Sequence, residues 1–263
     1  MDVMEALRLQ VEWGADEALM ETPQDRRAAA VAAPVAVAVA RPAPPVAAVA
    51  PGPAEAARIA AGCATLEELR AALARFTGCA LRDTATQLVF ADGAEAPKLV
   101  IVGEAPGGEE DRAGKPFVGP AGQLLDQMLG SIGLDRTQVR IVNTVPWRPP
   151  GNRTPTEGEV AVCLPFLQRQ IALVKPRGLL LLGAVAAKAM LAEPERHLGI
   201  RRLRGTWREV AVAGLDAPLP CLPSYHPAYL LRMPSAKAES WRDLIAIREW
   251  LECEPSGAII TKK

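Results

Sequence analysis

The chain has 263 residues, 49% hydrophobic and 23% charged, with 30 basic and 30 acidic side chains and a formal net charge of zero. That length allows one large or two small domains with a sizeable core, and the charge balance excludes a protein that holds nucleic acid by overall electrostatics. Five scattered cysteines without a CxxC pair argue against a disulfide framework, and the apolar run 28–40, interrupted by Pro34, is too short to cross a bilayer.

Residues 1–25 carry seven acidic side chains and one Arg, and residues 1–21 place Met4, Leu7, Val11, Ala15 and Leu19 near helical spacing. This predicts an amphipathic helix in an N-terminal segment, 1–27. The opening Met1-Asp2-Val3-Met4-Glu5 lacks the basic region of a signal peptide, which points to a cytoplasmic protein. Residues 28–54 are almost entirely Ala, Val and Pro, with six prolines and Arg41 as the sole charge, a composition that predicts a semi-extended linker. The folded unit is expected over 55–253, with a tail over 254–263.

Within that unit a helix is predicted over 55–76, where Thr65 and Glu68 fit a capping box. Apolar runs at 99–102, 139–142, 178–182 and 221–222 read as strands. Helical patterns at 122–132, 156–174 and 184–192 separate them, and a last helix is expected over 236–252. Such alternation predicts an α/β fold with a mostly parallel sheet covered on both faces. Residues 195–208 add a basic stretch of five Arg against one Glu, suited to meeting phosphates.

Each apolar run ends in polar chemistry. The first feeds Gly103-Glu104-Ala105-Pro106-Gly107, then Glu110-Asp111, Gly114, Pro116-Phe117-Val118-Gly119 and Gly122, read as a loop before the next helix. The second ends at Asn143, before Trp147-Arg148-Pro149-Pro150-Gly151-Asn152-Arg153. The third leads into Gly183-Ala184, and the fourth into Ser224-Tyr225-His226-Pro227. All carboxyl ends of a parallel sheet lie on one edge, so Glu104, Phe117, Asn143 and His226 are expected to converge in one cleft.

The residue types there suit a planar, polar ligand such as a nucleobase. Phe117 offers a stacking face, or a plug beneath the loop. Asn143 offers a donor and an acceptor to a base edge, or bonds its own turn. His226 can stabilise negative charge on a departing base, or be satisfied structurally. Glu104 can orient a water or face a developing cation, or cap a helix. Glu109, Glu110 and Asp111 read as solvated or capping, and His197 as solvated. In Ala228-Tyr229-Leu230-Leu231-Arg232, apolar residues can wedge into a duplex while Arg232 contacts phosphate, or simply pack a helix start. The loop matches neither the dinucleotide nor the Walker fingerprint, which argues against a nucleotide triphosphatase.

Together these segments resemble the uracil-DNA glycosylase superfamily, and most closely its family 4, the iron–sulfur type. The similarity runs over about 78–250. The resemblance implies a three-layer αβα sandwich around a central four-stranded parallel sheet, and a monofunctional glycosylase that releases uracil from DNA and leaves an abasic site. A catalytically weak binder of uracil-containing or damaged DNA is the alternative. It further implies that Glu104, Asn143 and His226 are catalytic, and that Gly103, Ala105, Phe117 and Asn143 hold the base. Arg148, Arg153, Tyr229, Leu230, Leu231 and Arg232 would contact DNA. The partner is uracil-containing DNA, met by a monomer without a membrane. Ala105 stands where the best-known members place a water-activating aspartate. The loop 148–156 lacks the histidine by which a related group traps its substrate covalently. Family 4 binds a [4Fe–4S] cluster through four cysteines, and only Cys79 and Cys163 keep those positions. Phe76 and Trp147 replace the other two, so no cofactor is expected and the two cysteines read as remnants.

Overall fold

The computed structural model describes residues 51–253, so the helix expected over 1–21, nearly all of the linker and the tail lie outside the described residues. The first predicted helix is two helices, α1 (Pro53–Ala61) and α2 (Leu66–Arg75). The break has a local cause. Thr65 caps α2 by accepting the Glu68 amide at 3.2 Å, and the Glu68 carboxylate takes the Ala64 amide at 2.7 Å, so the predicted capping box starts a second helix inside the span read as one. A short helix α3 (Leu81–Thr84) follows.

The sheet has six strands where four were expected: β1 (Asp92–Gly93), β2 (Leu99–Gly103), β3 (Val139–Asn143), β4 (Gly178–Leu182), β5 (Arg208–Val210) and β6 (Leu219–Ser224), in the order β1-β3-β2-β4-β6-β5. The two additional strands pair antiparallel at the edges. They were missed because two or three residues carry no periodicity, and short edge strands of this kind limit further pairing. The inner strands β3, β2, β4 and β6 run parallel.

Every residue of β2, β3 and β4 is buried. Their side chains alternate between two apolar layers. Val100, Val102, Leu179 and Leu181 pack with Leu167 and Ile171 of α6 (Glu157–Val174) and with Ala186 and Met190 of α7 (Gly183–Met190). Leu99, Ile101, Leu180 and Leu182 pack with Leu125 and Leu129 of α5 (Pro120–Gly130) and with Leu244 and Ile247 of the last helix (Lys237–Glu252). Burial on both faces is why β2 and β4 read as unbroken apolar runs, while β3 carries the buried Arg140; each fully buried Leu or Ile contributes about 1.5–3 kcal/mol.

Topology positions the site. From β2 the chain passes through α5 to β3 on one side, whereas from β4 it passes through α7 and the short α8 (Ile200–Leu203) toward β6 on the other. The neighbouring strands β2 and β4 therefore send their connections apart, and a crevice opens at their carboxyl ends.

Candidate active site

Gly103 and Asn143 end β2 and β3 as register partners. The Thr144 amide and hydroxyl both bond the Gly103 carbonyl, at 2.9 and 2.8 Å, which fixes the two strand ends together. A Cβ on Gly103 would collide with the Asn143 Oδ1 atom and with the edge of the Phe117 ring, so this close approach requires glycine. Asn143 is 6% exposed, and among the described residues its Oδ1 has no hydrogen-bond partner.

The segment read as a loop contains a helix, α4 (Gly108–Ala113), whose start was hidden by the glycines. Glu110 is capping, as expected, rather than solvated: it caps the start of α4, and it reaches further. Its buried carboxylate accepts the amides of Gly107, Val118 and Gly119 at 3.0, 3.0 and 2.9 Å. Asp111 is buried too, accepting the amides of Thr86 and Gln87 at 2.8 and 3.2 Å. The pattern Gly107-x-x-Glu110 before a helical stretch was the signal for Glu110.

Phe117 has φ of +55°, in the left-handed region, and its buried ring packs against the His226 imidazole with centroids 5.3 Å apart and planes 29° from parallel. His226 lies just past the end of β6 and caps α9 (Pro227–Arg232) by accepting the Ala228 amide on Nδ1 at 3.2 Å. That bond puts the ring proton on Nε2. The ring sits deep in the site with part of its surface accessible; burial first, then the nearby Arg232 guanidinium, push its pKa down to about 4, against a smaller opposing pull from Glu110. It is therefore a neutral donor near pH 7.

Glu104 follows β2 directly and is partly buried. Burial raises its pKa, while a hydrogen bond from the Thr154 side chain and the charge of Arg232 act in the opposite sense. The charge of Arg232 thus acts on both Glu104 and His226. The structure brings Gly103, Phe117, Asn143 and His226 together through close contacts, and Glu104 adjoins them as the residue after Gly103. Thr154 was not foreseen.

Among the residues expected at DNA, Arg148 lies against Gly108 and donates from Nε to Asn152 at 2.7 Å. Arg153 is exposed but engages both carboxylate oxygens of Glu159, at 2.8 and 2.6 Å, and that guanidinium holds the Glu159 pKa at about 2. Leu231 is 46% exposed, whereas Leu230 is 1% exposed and packs in the core with Leu125. Leu230 therefore cannot reach a duplex: helical geometry turns consecutive residues about 100° apart, sending one inward. Tyr229 packs against Tyr225 with ring centroids 4.9 Å apart and planes tilted by 39°. A cavity of about 320 Å³, lined by Lys98, Leu99, Gln138, Val139 and Leu251, lies at the opposite, amino end of the strands and holds none of these residues.

The model of the uracil DNA glycosylase superfamily matches residues 90–245, a span holding all of these strand ends. The chain belongs to that superfamily. It is 40% identical over 180 residues to the Type-4 uracil-DNA glycosylase of Pyrobaculum aerophilum, covering 68% of this chain and 91% of that protein. It is also 40% identical over 172 residues to the Type-4 uracil-DNA glycosylase of Archaeoglobus fulgidus, covering 65% and 85%, and over 159 residues to that of Thermotoga maritima, covering 59% and 78%.

In this superfamily member the four positions compared with cluster ligands meet in one apolar cluster, where Phe76, Cys79, Trp147 and Cys163 are all buried. Phe76 packs on Phe166 with centroids 5.0 Å apart. Cys163 shares a hydrogen bond with Cys79, and that bond together with burial holds it as a thiol well above the ordinary range. A cavity of about 10 Å³ beside Cys163, Phe166 and Asn143 is room for no more than one water. Two thiols among packed aromatic rings do not fit a four-thiolate cluster.

Proposed function

We propose that this protein is a monofunctional uracil-DNA glycosylase: it hydrolyses the N-glycosidic bond of deoxyuridine in DNA, releasing uracil and leaving an abasic site for base-excision repair. The observation that carries the reading is the meeting, at one strand edge, of a stacking ring, an unpartnered amide oxygen and a neutral imidazole donor. The relatives named Type-4 uracil-DNA glycosylase support it over most of their length.

A base inside a duplex is out of reach and must be extruded into such a pocket. There the free face of Phe117 stacks on uracil, in a contact worth about 1–3 kcal/mol. Asn143 Oδ1 accepts the ring N–H of uracil. As the glycosidic bond breaks, negative charge gathers on uracil and positive charge on the sugar. The Nε2–H of His226 points its dipole at the first, and Glu104 faces the second and orients the attacking water. Fixed groups in a water-poor site need no reorganisation as this charge develops. Leu231 and Arg232 stand at the rim, where one fills the gap left by the base and the other meets phosphate.

We read the layering as an αβα sandwich whose four inner parallel strands carry the site, within a catalytic unit over 55–253. The protein acts as a cytoplasmic monomer. No helix among the described residues is long and apolar enough to cross a membrane. The cluster position is filled by side chains, so the unit folds and works without iron and sulfide.

Incubation with an oligonucleotide bearing one uracil, followed by alkali, tests the activity: strand cleavage at that site is expected, with none for the thymine control and none of free deoxyuridine. A gel shift without cleavage would replace the enzyme by a catalytically weak binder of uracil-containing DNA.

A further inference from the structure

Phe117 holds a left-handed conformation that bulky residues avoid, a strain that its surroundings must offset. Two charged side chains enclose its peptide units. On one side Arg136 donates to the carbonyls of both Pro116 and Phe117, the first at 3.1 Å. On the other, Glu110 accepts the amides of Val118 and Gly119. A left-handed residue turns the two following N–H groups toward one point, and the carboxylate sits in that concavity.

Neither arm is free to move. Arg136 is fixed by Asp92 at 2.9 Å and Asp126 at 2.7 Å, so β1 and α5 hold it from two directions. Glu110 is fixed by its third bond, to the Gly107 amide. The backbone of α5 closes the remaining side: a Cβ at Gly122 would overlap the Phe117 carbonyl. No hydrogen bond from this bracket reaches the aromatic ring itself.

We propose that Arg136 and Glu110 are positioning residues that preset the Phe117 ring beside His226 before any base arrives. A cation on two carbonyls and an anion on two amides can be satisfied at once only if the peptide units around Phe117 keep their present orientation. A ring already in place spares the bound state the ordering of a rotamer and a backbone, a cost otherwise charged to affinity. This inference rests on the reading of Phe117 as the stacking platform for uracil.

The test is a double-mutant cycle between Arg136→Lys and Phe117→Ala, read as inhibition by free uracil and as KM against kcat on the uracil oligonucleotide. Lys keeps a cation beside the aspartates but cannot hold two carbonyls with a planar fork. R136K is expected to raise the uracil inhibition constant about tenfold, the loss of one charge-assisted hydrogen bond, and to change it less than twofold when Phe117 is already Ala. A penalty of equal size with and without the ring would overturn the proposal, since a merely structural arginine would act in both backgrounds. Glu110→Gln provides the same cycle from the other arm and decides the matter if R136K does not fold. Wild-type uracil affinity in F117A would remove the stacking role, and the positioning role with it. Weakened affinity in F117A beside unaltered R136K and E110Q would overturn the positioning role alone.

Discussion

The His226 Nδ1 atom accepts the Ala228 amide at 3.2 Å, so the first turn of α9 fixes the tautomer of the imidazole that faces Phe117. Two groups at this site titrate in the acid range, and they move in opposite directions. His226 gains its proton only near about pH 4. Glu104 loses its charge above its ordinary value of 4.5. As pH falls, Glu104 is therefore protonated before His226. Single-turnover rates measured from pH 8 to pH 4.5 are expected to show one acid limb, which Glu104→Gln abolishes at a reduced plateau. His226→Ala lowers the whole profile by about 10²-fold or more without moving that limb. A limb that disappears in H226A instead would assign it to the imidazole.

The same imidazole makes stability depend on pH. Its folded pKa of about 4 lies below the 6.5 of an ordinary histidine, so the unfolded chain takes the proton first. The contribution is complete above pH 6.5 and is lost as pH falls toward about 4, by about 3 kcal/mol at most. Urea unfolding at pH 7 and at pH 4.5 should show the wild type losing more stability than H226A over that interval. Equal losses would mean that His226 is not shielded from water as the structure places it.

Asn143 Oδ1 finds no hydrogen-bond partner among the described residues, so no protein hydrogen bond is lost with it. Asn143→Ala removes that oxygen together with the proposed contact to the base. The expected result is a turnover loss of about 10²-fold or more with an unchanged or raised Tm. A large fall in both would instead make Asn143 a structural residue of the β3 end.

These groups were legible to different degrees. The inner strands could be read because burial on both faces leaves no polar residue in 99–102 or 178–182, and the meeting of Phe117, Asn143 and His226 around Gly103 is consistent with what parallel topology predicts. The capping box at Thr65 and Glu68 was visible, but the helix was read straight through it, because helical spacing of apolar residues continues on both sides of the break at Gly62. Arg136 left no trace in the sequence: its partners Asp92, Asp126 and Phe117 are joined to it only by the fold, and a positive φ at a phenylalanine has no sequence signature. Leu230 and Leu231 are identical residues side by side, and only the docking of α9 on α5 separates the core residue from the rim residue.

The buried thiol pair yields a compositional prediction. With Phe76 and Trp147 packed beside Cys79 and Cys163, purified protein is expected to contain far less than one cluster per chain and to lack the broad visible absorption of iron–sulfur proteins. A Cys79→Ala, Cys163→Ala double variant should keep its glycosylase rate within a few-fold. Trp147→Ala should cost about 3–5 kcal/mol of stability by opening a cavity in that apolar cluster. Stoichiometric iron with a brown colour would show that other ligands complete a site here.

Leu231 gives the sharpest test of how the base leaves the helix. Its side chain is 46% exposed on α9, while neighbouring Leu230 is 1% exposed. An apolar side chain inserted at the vacated position offsets part of the few kcal/mol lost on unstacking. That benefit exists only where a stack is broken. Leu231→Ala is therefore expected to lower kcat/KM on double-stranded uracil DNA by about tenfold while leaving single-stranded substrate within about twofold, with no change in Tm. Leu230→Ala should do the reverse, lowering Tm through a core cavity worth about 2–5 kcal/mol and sparing the strand preference. Equal losses of L231A on both substrates would remove the wedge and leave Leu231 as a general contact to the strand.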